Sequence, residues 1–131
     1  MKSLFLLFAL LFAVALSSSS AVVSKASNAG QKQKAVTQFN DPVRLQGVLL
    51  KGEYLFVHDD AAMMRGETCT FVYKGDAEIA GNLVTSFHCT PVQREKVYSF
   101  TVRTRQMSPG VNEVSEFQFR GDTEAHAVPV K

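Results

Sequence analysis

Three histidines, two cysteines and two adjacent methionines are the residues of this chain with metal-donor chemistry: His58, His88, His126, Cys69, Cys89, Met63 and Met64, with Met107 further along. Imidazole, thiolate and thioether are ligands that suit copper and zinc. The familiar ways of ordering them are absent. Thr90, Pro91, Val92 and Gln93 follow Cys89, so the close His and Met of a blue-copper site are missing, and no Cys-x-x-Cys-His occurs for covalent haem. His88 adjoins Cys89, and neighbours on a strand point to opposite faces, so the two can share one ion only if the strand bulges. The metal site open to this sequence is therefore a meeting of His58, His88 and His126 at three strand ends. Asp59 or Asp60 could then orient the His58 ring. Each histidine taken alone reads as a surface or hydrogen-bonded structural residue. The default expectation is no cofactor, with copper or zinc as the alternative.

Catalysis finds less support. A nucleophile needs a histidine within hydrogen-bond reach and a carboxylate to orient that histidine. Ser86 and His88 share a strand face, but two residues of strand separate them by about 7 Å. Asp59, Asp60 and Glu67 make an acidic loop, which reads as solvated. The sequence contains no Gly-rich phosphate loop and no His-Glu-x-x-His. A noncatalytic protein is expected.

Two cysteines in an exported chain predict a disulfide. Setting Cys69 opposite Cys89 also sets Phe71 on Phe87 and Tyr73 on Thr85, and it gathers an apolar face of Cys69, Phe71, Tyr73, Leu83, Phe87 and Cys89. Such a bridge closes a loop of about 20 residues and would contribute roughly 3 kcal/mol. A later pairing of Arg103 with Glu116 likewise places Val102 on Phe117 and Phe100 on Phe119, cross-strand pairs of about 0.2–1 kcal/mol each.

The elements that must carry these residues are strands. Apolar–polar alternation predicts them at 43–50, 53–58, 68–73, 83–89, 97–105 and 114–120. A weaker one at 126–130 contains Pro129 and so can only be an edge. Lys51-Gly52 is expected to close a tight hairpin, and residues 59–67 to hold one short turn of helix ended by Gly66. Short strands without intervening helices imply an all-β fold, a small antiparallel sandwich or barrel of about six to eight strands.

Ahead of that domain, Lys2 and the apolar run from Leu4 to Leu16, followed by Ser17 to Ser20 and Ala21, have the three parts of a secretory signal peptide. The run is too short for a bilayer that needs about 20 residues. The expected organisation is a leader over 1–21, a flexible arm over 22–38 and a single β domain over 39–131. A net charge of +2 gives no electrostatic case for nucleic acid, and no other stretch is apolar enough to span a membrane.

The phrase Phe39-x-x-Pro42-Val43-x-Leu45-x-Gly47-x-x-Leu50-x-Gly52-x-Tyr54-x-Phe56 resembles the opening of a group of small exported bacterial β-domain proteins. The segments His58-Asp59-Asp60, Cys69-Thr70-Phe71-Val72-Tyr73, Ser86-Phe87-His88-Cys89-Thr90-Pro91-Val92 and Glu124-Ala125-His126-x-Val128-Pro129 are similar to that group as well. The resemblance implies a bacterial, periplasmic or secreted setting and brings no catalytic residues. The sequence thus predicts an exported, noncatalytic β domain that binds a protein or an envelope component, with Met63 and Met64 as its contact. A copper- or zinc-binding protein is the alternative.

Overall fold

The computed structural model describes residues 32–131; the expected leader and residues 22–31 of the expected arm lie outside them. Eight strands form one sheet curled into a half-barrel: β1 (Lys32–Leu45), β2 (Val48–Asp59), β3 (Thr70–Lys74), β4 (Leu83–Phe87), β5 (Thr90–Gln93), β6 (Thr101–Ser108), β7 (Val111–Gln118) and β8 (Glu124–Ala127). The helix α1 (Asp60–Met64) follows β2 directly, as the loop composition predicts, and Gly66 (φ +74) lies just beyond it. The order across the sheet is β4-β3-β2-β1-β7-β8-β5, with β6 also paired to β7. Every pairing is antiparallel except the short parallel contact of β1 with β7. The all-β expectation holds, in the form of a partly closed barrel.

The β1–β2 hairpin is longer than the sequence suggests and turns elsewhere. Its two-residue turn is Gln46-Gly47, with φ of 51° and 78°. Positive φ at both central residues is what a type I′ hairpin requires. The expected strand at 43–50 therefore straddles a turn, and the expected turn at Lys51-Gly52 lies within β2. Gly52 (φ +97) stands opposite Phe39, where the ladder slips before resuming at Val43. From Lys32 onward the expected flexible arm is sheet, paired in register with β2 back to Asp59. Its strand signal is weak because the half-buried positions carry Gln33, Ala35 and Thr37 rather than large apolar residues.

The other expected registers divide. Arg103 pairs with Glu116 and Val102 with Phe117, as predicted, and the Phe100 and Phe119 rings lie 5.1 Å apart. The β3–β4 pairing is one residue away from expectation: Thr70 pairs with Phe87, Phe71 with Ser86 and Val72 with Thr85. A shift of one residue reverses every side chain. Val72 consequently faces the main core, while Phe71 and Tyr73 pack with Leu55 and Val57 on the opposite face. The weak strand at 126–130 is displaced too. β8 ends before Pro129 and runs inside the sheet between β7 and β5. The edge proline is Pro91 in β5, a strand that the sequence reads as a break.

The main core is aromatic. Phe56 and Phe117 are fully buried with ring centroids 5.4 Å apart, and Phe39, Phe87, Phe100 and Phe119 surround them. These rings meet at the 4.5–7 Å separations that aromatic pairs favour. At one end this core gives way to a polar cluster.

Candidate metal centre

Topology creates the cluster. β4 and β5 stand at opposite ends of the sheet order, yet only His88 and Cys89 separate them along the chain. That two-residue link carries the chain from one end of the curled sheet to the other. His88 is turned to solvent and Cys89 to the interior. Cys69 lies just before β3, His58 near the end of β2 and His126 on β8, where it pairs with Pro91 and Phe117.

Cys89 Sγ is the centre of the group. It lies 3.1 Å from Cys69 Sγ, 3.2 Å from His58 Nε2, 3.6 Å from Met63 Sδ and 3.7 Å from His126 Nδ1. His58, Cys69, Cys89 and His126 are all buried, and Met63 packs against them from α1. His58, Cys69 and Cys89 can each offer one ligand atom within 4.8 Å of the others. Met63 reaches inward because Asp59 caps α1, its carboxylate accepting from Ala62 N at 3.1 Å.

The expected disulfide is not formed. Sulfurs 3.1 Å apart are well beyond a bond of about 2.05 Å. The physical reason lies in the register: with Thr70 rather than Phe71 opposite Phe87, the ladder ends there and the cysteines lie in connecting segments. They are not cross-strand partners, and Cys89 faces His58 and Met63 as well as Cys69. Instead, the Cys89 backbone N–H donates to Cys69 Sγ at 3.2 Å.

The three histidines expected to meet divide into a buried pair and one at the rim. His58 and His126 do meet, their rings stacked at 3.9 Å and 34°. His88 stands at the exposed rim, where its Nδ1–H donates to the Glu67 carbonyl at 2.8 Å and lies 3.8 Å from Cys69 Sγ. The contact role expected of Met63 and Met64 also splits: Met64 is 75% exposed, whereas Met63 faces the sulfurs. Cys69, Cys89 and Met63 are thus the cluster members that sequence reasoning placed elsewhere. Their signal was the sharing of two thiols, a histidine and a methionine among segments that end strands.

The electrostatics favour neutral donors. Burial lowers His58 to about 4 against a nearby Asp59 charge, and burial followed by the neighbouring His58 lowers His126 to about 4. Burial, then the hydrogen bond with Cys69, pushes the Cys89 thiol up. Asp60 Oδ1 lies 3.0 Å from His58 Nδ1, outside hydrogen-bonding alignment. His126 Nε2 has no partner either. Leaving such buried groups unpaired costs about 1–3 kcal/mol each. Among the described residues, no helix is long and apolar enough to cross a membrane. No family model, curated protein or solved structure matches the chain, so the cluster itself carries the functional argument.

Proposed function

We propose that this protein is an exported, noncatalytic β domain that binds a soft transition-metal ion through His58 Nε2, Cys69 Sγ and Cys89 Sγ. The observation that carries this reading is the convergence of one imidazole and two thiols, from three separate segments, within 4.8 Å in a buried site. Thiolate with imidazole is the donor chemistry of zinc and of copper(I). Asp60, 3.0 Å from the far nitrogen of His58, stands where a carboxylate would hold a ligating ring in place.

The donors stand close together. A tetrahedral zinc with Zn–S bonds of about 2.3 Å has S···S edges of about 3.8 Å. The cysteine sulfurs at 3.1 Å would spread by several tenths of an ångström to admit an ion. Export rests on the leader-like start of the chain and on the resemblance to small exported proteins. A partner-contact role for the loop would rest on Met64 alone.

The test is a titration of the reduced, metal-free protein with Zn(II) and, anaerobically, with Cu(I). One equivalent of at least one metal should bind. Cys89→Ala should lose most of that binding, and His88→Ala should retain it. The reading fails if neither metal binds stoichiometrically, or if Cys89→Ala binds as tightly as the unaltered protein.

A further inference from the structure

We infer that the ion is copper(I), and that the Met63 thioether completes its coordination and sets the choice of metal. This rests on the metal-binding reading above and goes further by naming the fourth ligand. Two donors compete for that place beside Cys89 Sγ: Met63 Sδ at 3.6 Å and His126 Nδ1 at 3.7 Å. Distance does not separate them. Ring geometry does.

An imidazole lone pair lies in its ring plane. The His58 and His126 rings are stacked, with centroids 3.9 Å apart and planes 34° from parallel. Each ring turns a nitrogen to Cys89 Sγ, His58 Nε2 at 3.2 Å and His126 Nδ1 at 3.7 Å. Two rings that ligate one tetrahedral ion splay away from it, however, and these two are packed against each other. An ion drawn to His58 Nε2, which is 3.2 Å from Cys89 Sγ, cannot take His126 at full strength without unstacking the pair. His126 is also held by its place in β8 and by Phe117, whose ring centroid lies 5.2 Å away. It is a packing partner of the ligand His58.

Met63 meets no such obstacle. Its flexible side chain hangs from α1 and is half-buried on the core side. The resulting set is two thiol sulfurs, one thioether and one imidazole. Zinc is held in proteins by Cys, His and carboxylates, whereas thioether sulfur is a ligand of copper(I). Met64, the next residue, points to solvent and does not compete.

The experiment measures Cu(I) affinity against a chromophoric copper(I) chelator, anaerobically, and Zn(II) affinity against a zinc indicator. It compares the unaltered protein with Met63→Leu and His126→Phe. Leu keeps the volume and apolar character of Met, so the fold should survive, and circular dichroism checks that it does. Met63→Leu should weaken Cu(I) binding by about tenfold or more and change Zn(II) binding by less than about threefold. His126→Phe should change Cu(I) binding by less than about threefold. X-ray absorption of the Cu(I)-loaded unaltered protein should show three sulfurs and one nitrogen. Equal losses for both metals in Met63→Leu, no loss of Cu(I) binding, or a two-sulfur, two-nitrogen shell would overturn the inference. Stoichiometric Zn(II) binding with any of those results would leave the metal-binding reading standing, and failure to bind either metal would remove both.

Discussion

Acidification should unfold the metal-free protein steeply, because two imidazoles are buried with one nitrogen of each ring left without a hydrogen-bond partner. In the unfolded chain both titrate near 6.5, and in the folded chain burial holds both near 4. Between those values the unfolded state binds more protons. Stability is therefore complete above about pH 6.5 and is lost as pH falls towards 4. One proton per group corresponds to about 1.4 kcal/mol per pH unit, so the two together set a limiting slope of roughly 3 kcal/mol per pH unit. Over the window this reaches several kcal/mol, comparable with the whole stability of a small domain. Asp60 and Glu124 oppose the trend at its acid end. Burial raises both, helped by neighbouring acidic groups, so they gain stability on protonation as pH falls. Urea unfolding of the EDTA-treated protein at pH 7.5, 6.5, 5.5 and 5.0 would measure the slope. His126→Phe should remove about half of it. Equal unfolding free energies at pH 7 and pH 5 would refute the assignment of neutral, protein-sealed imidazoles.

Four further outcomes follow from the same contacts. Saturation with the metal at about 100 times its Kd should stabilise the fold by about 2.7 kcal/mol, a rise in melting temperature of roughly 10–20 °C by calorimetry. Phe117→Ala removes the ring that touches Phe56, Phe87, Phe119 and both buried histidines, and should cost about 3–5 kcal/mol in urea unfolding. Asp59→Ala deletes the α1 cap and should cost about 0.5–2 kcal/mol. It should also weaken Cu(I) binding in the chelator assay, because α1 carries Met63. Gly47→Val forces a branched side chain to φ +78 and should destabilise by about 1–2 kcal/mol, again read from the urea midpoint.

Pattern alone revealed most of the architecture. Alternation at 53–58 and 114–120 marks β2 and β7, and the match of Arg103 with Glu116 and Val102 with Phe117 finds the true β6–β7 register. That hairpin is legible because its aromatic and charged pairs leave one consistent alignment. The β3–β4 hairpin misleads because Phe71 and Tyr73 are as apolar as core residues while packing on a second face with Leu55 and Val57. Apolar character marks a buried position without saying which side of a curled sheet buries it. The Gln46-Gly47 turn was hidden between two apolar stretches, and Gly52, which stands in β2 opposite the β1 bulge between Phe39 and Val43, drew the turn to itself.

The candidate site was legible as residue types and illegible as a set. Sequence alone determined that the chain holds soft and borderline donors, that His88 and Cys89 face opposite ways, and that all of them sit on short strands or beside them. Only the tertiary structure decided which of them meet. The link from β4 to β5 carries Cys89 from one end of the sheet order to the other, and curling brings β2 and β8 to the same place. Partners 31 and 37 residues from Cys89 along the chain are set by how the sheet closes on itself. Local periodicity reports which face of its own strand a residue occupies, and the closure of a barrel is a property of all the strands together.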